Sequence, residues 1–319
     1  MQTKQINAKL FPKLFGGIKH LIPTALLVIA SISWAGPFED ATAAIERKDY
    51  ATALRLFRPI ASKGDANAQF NLGLMYGSGQ GVAQDSEAAV KWFRLAAVQG
   101  VAWAQYNLGV MYASGQGVVP DNAEASKWYR LAAVQGNSSA QYRLGVMYQI
   151  GQGVKRDHSE AIKWIKLAAQ QGNESAQYSL GVIYGSGQGV MQDNETAVKW
   201  YKLSATQGNV FAQYNLGSMY QSGQGVGRDY AEAIKWIRLA AAQGDANAQF
   251  NLGLMYGSGQ GVAQDNVRAH LWFSLAAAKG QANALKGRDI AANKLTPQQM
   301  AEAQKLAREC LARDFKGCN

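Results

Sequence analysis

The chain has 319 residues, 48% hydrophobic and 17% charged, a balance that excludes intrinsic disorder and leaves enough apolar mass for a sizeable core. Its formal charge is +10, but Lys4, Lys9, Lys13 and Lys19 fall in the first 35 residues with no acid among them, so the remainder carries +6. The three histidines and two cysteines form no cluster at ligand spacing, so no metal and no cofactor is expected.

Residues 1–35 read as an export signal. A basic start precedes an apolar run from Leu21 to Ala35, and Ser33 and Ala35 supply the small residues that signal peptidase requires. Cleavage is expected after Ala35. The run covers about 15 residues, short of the ~20 that span a bilayer, and Pro23 interrupts it. A retained anchor is the alternative, and the expected destination is the periplasm or the medium. Residues 36–64 then read as a degenerate helix pair.

From residue 65 the chain repeats itself. A Leu-Gly pair recurs with glycine at 73, 109, 145, 181, 217 and 253, always 36 residues apart. Six copies follow without insertion, at 65–100, 101–136, 137–172, 173–208, 209–244 and 245–280, and segments 65–85 and 245–265 are identical. In the first copy Asp65 caps a helix A carrying Ala68, Leu72 and Tyr76 on one face, and Gly79 and Gly81 end it. Asp85 caps a helix B with an apolar stripe of Ala89, Trp92, Leu95 and Ala96, closed by Gly100. Later copies repeat this punctuation, except that Val101 stands at a capping position. A helix-interior glycine costs about 1 kcal/mol relative to alanine, so its recurrence predicts a large side chain of helix B against the backbone, with the six tryptophans (Trp92, Trp128, Trp164, Trp200, Trp236, Trp272) as candidates. They read as core. Residues 281–319 close the array, with a capping helix over 296–312 that begins Thr296-Pro297. In an exported protein Cys310 and Cys318 are expected to form a disulfide rather than a reactive or metal site.

Each copy reads Ala-Gln-(Phe or Tyr)-x-Leu-Gly-x-(Met or Ile)-Tyr, then Gly-Gln-Gly-Val-x-x-Asp, then Ala-x-x-Trp-x-x-Leu. This wording resembles the Sel-1-like repeat, a relative of the tetratricopeptide repeat with a longer loop between its two helices. The resemblance covers about two thirds of the chain and implies an all-α, right-handed α-solenoid. It also implies that helix A lines the concave face and that the protein scaffolds complexes, as bacterial relatives do in envelope assembly, signalling or host contact. Some cysteine-rich relatives are β-lactamase-like or bind β-lactams. This chain lacks their cysteine pair in each repeat and has no Ser-x-x-Lys in a suitable context, so catalysis is the alternative and no catalytic residue is assigned.

The positions that vary between copies carry the functional expectation. Asn71, Trp103, Asn107, Arg143, Phe211, Asn215 and Asn251 fall on the helix A side away from the shared stripe, at ~100° per residue, and are the candidates for binding a partner protein or extended peptide. Asparagine can both donate to and accept from a peptide backbone, and Trp103 and Phe211 can anchor. They can equally be tolerant surface sites, or aromatics packed on a neighbouring copy. Lysines of helix B (Lys91, Lys127, Lys163, Lys199, Lys235), each followed by a second base, form a positive row that suits peptidoglycan or an acidic glycolipid. Glu87, Glu124, Glu160, Glu195 and Glu232 precede those lysines and can neutralise them instead. His158 and His270, both on B helices and about three copies apart, read as surface histidines. Nucleic acid is not expected as a partner, and the chain is expected to be a monomer.

Overall fold

The computed structural model describes residues 36–315, 317 and 318, and the export signal expected at 1–35 lies outside them. Among the described residues there are 16 helices and no strand. Helices α1 (Pro37–Glu46) and α2 (Tyr50–Ser62) lead. The A helices are α3 (Ala66–Ser78), α5 (Ala102–Ser114), α7 (Ser138–Ile150), α9 (Glu174–Ser186), α11 (Val210–Ser222) and α13 (Ala246–Ser258). Between them run the B helices α4 (Ser86–Val98), α6 (Asn122–Val134), α8 (His158–Gln170), α10 (Asn194–Thr206), α12 (Tyr230–Ala242) and α14 (Asn266–Ala278). Helices α15 (Ala284–Ala292) and α16 (Pro297–Ala312) close the chain. Each helix from α1 to α14 packs on its successor, which makes the array an α-solenoid.

Helix boundaries follow from capping chemistry. Asp65, Asn137, Asn173, Asn209 and Asp245 each accept a backbone N–H from the first turn of an A helix, and Val101 makes no such bond. Asp85, Asp121, Asp157, Asp193, Asp229 and Asp265 do the same for the B helices. In the inter-helix loop Gly79 (φ 73°) takes the left-handed conformation that releases an A helix. Gly117 (φ 68°) faces the Ser86 backbone of the preceding copy, where a side chain would collide. The glycine pair is therefore loop geometry and close packing between copies.

The helix A glycine does meet a large side chain of helix B, but it is not the tryptophan. A Cβ on Gly73 would stand 2.5 Å from the Phe93 ring, and Gly109, Gly145, Gly181, Gly217 and Gly253 face Tyr129, Ile165, Tyr201, Ile237 and Phe273 in the same way. These residues directly follow the tryptophans. One residue is a rotation of ~100° on a helix, so the tryptophans point elsewhere. Trp200, for example, packs against an apolar cluster that joins Ile165, Ala168 and Ala169 of the preceding copy to Ala176, Leu180 and Ile183 of its own. A second expectation also fails. Leu95 is not part of the helix B core, which Ala89, Val90, Phe93, Ala96 and Ala97 supply; Leu95 stands in solvent. Each of α4, α6, α8, α10 and α12 packs on its own helix A and the next one, and in α4 Lys91, Leu95 and Val98 are exposed on the remaining side.

Copies are joined by buried glutamines. Gln105 Nε2 donates to Ala97 O of the preceding helix B (3.0 Å), and its Oε1 accepts from Gln135 Nε2 (2.7 Å) of its own helix B. The same pair of bonds recurs at Gln69, Gln141, Gln177 and Gln213. At the sixth copy the series stops. Lys279 replaces the second glutamine, its Nζ lies 4.8 Å from the centre of the Phe315 ring, and Gln249 Oε1 is left without a partner among the described residues.

The end of the chain folds back. Helix α16, started by a capping box between Thr296 and Gln299, packs along α14. Its Ala307 and Cys310 join Leu271, Leu275 and Phe315 in one apolar cluster. Cys310 and Cys318 are disulfide-bonded, with Cα atoms 5.4 Å apart, and Phe315 lies against Gly244 at the end of α12.

Candidate functional site

Each A helix buries its Ala-Gln and Leu-Gly positions, which turns the residues between them toward a separate face. Asn71, Asn107, Asn215 and Asn251 are partly exposed there, on α3, α5, α11 and α13, and Arg143 is exposed on α7. Trp103 is 39% and Phe211 58% exposed. Both rings also touch tyrosines: Trp103 stands edge-on to Tyr106 in its own helix, centroids 5.8 Å apart, and Phe211 lies 5.9 Å from Tyr178 of the preceding copy. The packing and anchoring alternatives are therefore both present in Phe211, which rests on its neighbour and stays more than half exposed.

This face is nearly uncharged. The six A helices carry only Arg143 and Glu174, and Glu174 Oε1 accepts from Asn209 Nδ2 of the next copy (2.9 Å). Arg143 makes no ion pair among the described residues. Burial pushes the Tyr178 hydroxyl up, and that of Tyr201 to about 12, while a hydrogen bond from Asn215 opposes the rise in both. Burial, reinforced by Tyr106, likewise raises Tyr129, and Arg143 opposes it. These phenols stay protonated at neutral pH and offer hydrogen bonds rather than charge. The neighbouring Asn71 Nδ2 donates to Asn67 O (2.9 Å), and Ser179 Oγ reaches the Tyr142 hydroxyl (3.5 Å).

The positive row on the B helices is largely engaged. Lys127, Lys163 and Lys235 pair with Glu124, Glu160 and Glu232 at 2.9, 3.0 and 2.9 Å. Glu160 and Glu232 also accept the indole N–H of Trp164 and Trp236, both at 2.9 Å. Arg94, Arg130 and Arg238 donate to Tyr112, Tyr148 and Tyr256 of the next helix A, the last at 2.6 Å. Lys91 and Lys199, whose acids sit four residues back, form no ion pair among the described residues.

The histidines divide. His158 is partly exposed, with Nε2 3.0 Å from Arg156. His270 is buried, which corrects its reading as a surface residue. Its position is filled by Val90 and Ile234 in other copies, where it faces the core. Burial depresses its pKa, Arg288 adds to that, and Asp289 opposes it. No group of three His, Cys, Asp or Glu residues that could hold a metal ion occurs among the described residues, and none of their helices is long and apolar enough to cross a membrane.

Two features were not anticipated from sequence: the glutamine joints and the exposed leucines of helix B. The Gln of Ala-Gln and the Gln before the closing glycine, 30 residues later, carry the signal for the first.

Stacked two-helix copies on a recurring buried frame define an α-solenoid of the tetratricopeptide-like class. The chain belongs to the Sel1 repeat family, whose description matches residues 43–65, 66–101, 104–137, 138–173, 174–209, 210–245 and 246–281. The first of these takes in α2, so the family pattern occurs seven times. A Sel1 repeat protein from Oxalobacter formigenes is 36% identical, with a TM-score of 0.68 over 76% of this chain and 99% of that one. A protective antigen of uropathogenic Escherichia coli displaying an SLR fold is 27% identical, with a TM-score of 0.52 over 88% of this chain and 78% of that one. No curated protein matches the chain. Proteins of this family generally act as protein–protein interaction scaffolds, and the fold is typically non-catalytic.

Proposed function

We propose that this chain is an exported scaffold that holds an extended segment of a partner protein along its helix A face. The observation that carries this reading is the exposure of Trp103 and Phe211 beside Asn107 and Asn215. Large aromatics left in solvent next to donor–acceptor amides are the residue types that anchor a peptide. The approach of α9 to α11 supports this face as the inner one, since consecutive A helices come together where the array curves inward. Export rests on the basic-apolar-small pattern of residues 1–35 and accords with the disulfide near the C-terminus.

A photocrosslinking residue placed at 107 or 215 in the native host is expected to capture one partner, and the same residue at the exposed position 191, in the loop between α9 and α10, is not. Trp103→Ala with Phe211→Ala should abolish that capture. Capture unchanged in the double variant would overturn the helix A assignment. Amino-terminal sequencing of the mature protein should begin at Gly36, and a retained Met1 in the membrane fraction would replace the export reading with an anchored one.

A further inference from the structure

The B helices leave a row of leucines in solvent. Leu95, Leu131, Leu167, Leu203 and Leu239 occupy one helical position, one per copy, and are each between 39% and 48% exposed. The same position in the sixth copy is Leu275, which is 0% exposed. Two flanking helices alone do not account for the difference, because α14 has α13 before it and α15 after it just as each earlier B helix lies between two A helices. Only α14 also carries α16, and Leu271 and Leu275 share a cluster with Ala307, Cys310 and Phe315. The flanking charges change in step. Copies one to five place Lys91 and Arg94, or their equivalents, before the leucine, and the sixth copy places Leu271 and Ser274 there. The chain thus displays, on its own last copy, the kind of object this position accepts: a helix with a stripe of small and apolar residues, seated along helix B.

We propose that the row from Leu95 to Leu239 is a docking surface, separate from the helix A face, for an amphipathic helix of a partner protein whose flanks are acidic. The apolar stripe of that helix covers the leucine as α16 covers Leu275. Its acids meet the bases that α14 lacks, among them Lys91, Lys166, Lys199 and Lys202, which form no ion pair among the described residues. Helix α16 itself carries Glu302, Lys305, Arg308 and Glu309, a balanced set that suits the uncharged side of α14 and not the basic sides of the other B helices. Val98 and Val134, a turn beyond the first two leucines and also exposed, extend the apolar stripe.

The test uses the full chain and two labelled peptides of the 16 residues of α16, both with Cys310→Ala. One has Lys305→Glu and Arg308→Glu, and the other Glu302→Lys and Glu309→Lys. The acidic peptide is expected to bind, measured by fluorescence anisotropy, and more tightly than the basic one by about tenfold or more. Rising salt should weaken it. Leu131→Glu with Leu167→Glu should also weaken it, with the helical circular dichroism and melting temperature of the chain unchanged because both leucines lie at the surface. Trp103→Ala with Phe211→Ala should leave it intact, which separates this surface from the helix A face. Absence of binding, equal binding of the two peptides, or indifference to the leucine substitutions would overturn the proposal. So would leucine-dependent binding seen only to phosphatidylglycerol vesicles, which makes the row a membrane face, or leucine-dependent self-association, which makes its occupant a second copy.

Discussion

Gly109 and Tyr129 fit one against the other so closely that a Cβ on the glycine would stand 2.8 Å from the tyrosine ring. Alanine would gain about 1 kcal/mol in helix propensity, but overpacking a buried ring costs about 1–3 kcal/mol and the contact here is severe. Gly109→Ala is therefore expected to lower stability by roughly 2 kcal/mol in urea unfolding. Gly77 is the control, because its added Cβ would lie 3.7 Å from Ala89, an ordinary contact. Gly77→Ala should raise stability by up to about 1 kcal/mol, and the opposite order of the two variants would refute the packing argument.

Val101 is the one position before an A helix of the six copies that offers no side-chain bond to the first turn. Val101→Asp supplies the oxygen that Asp65 and Asp245 supply elsewhere. It should add about 1 kcal/mol, less what the partly buried valine contributes by packing. Denaturant titration of the variant beside wild type decides it, and a loss of stability would mean the packing outweighs the cap.

Lys279 interrupts the glutamine series and strands Gln249 Oε1. Restoring the pattern with Lys279→Gln satisfies that oxygen, a gain of about 1–3 kcal/mol. It also gives up the ammonium–ring contact with Phe315, about 0.5–1 kcal/mol at an exposed site. The expected net change is a gain of about 1 kcal/mol in denaturant titration. A fall of similar size would show that the tail contact dominates.

His270 is held neutral by burial and by Arg288, so its folded pKa lies below the ordinary value of 6.5. In such a case the unfolded chain binds the proton more readily. The stability associated with neutral His270 is complete above pH 6.5 and is lost as pH falls from there toward the depressed folded value. Melting temperatures recorded from pH 8 down to the acid side should show a decline that His270→Val reduces. An identical profile in the variant would remove His270 as its source.

Most of the fold was legible because each copy punctuates itself. Asp or Asn before a helix and glycine after it are local chemistry, and local chemistry survives in sequence. Rotation about a helix axis is another matter. Trp92 and Phe93 both lie on the broad apolar arc of helix B, and only the neighbouring helices decide that Phe93 meets Gly73 while Trp92 packs against the cluster shared by α1, α2 and α3. Leu95 was misread for a related reason: an apolar residue at helical spacing implies a buried face only where something lies on that face, and an open array leaves one side bare. The change from lysine to Leu271 in the sixth copy records the missing cover. His270 was misread as a surface residue as well, although the Val90 and Ile234 that share its position face the core. The helix A candidates were recognisable by their variation, which locates a surface without specifying what rests on it.

The glutamine joints have a consequence for how such an array changes over time. Because Gln105, Gln141, Gln177 and Gln213 each grip the preceding copy through the same backbone carbonyl and their own copy through the same amide, any internal copy presents standard couplings at both ends. Removal or insertion of a whole 36-residue unit brings together ends that already match. The number of copies is thus free to drift by recombination between near-identical stretches such as 65–85 and 245–265. The last copy is the exception, because Lys279 stands in place of that glutamine and meets the ring of Phe315 instead.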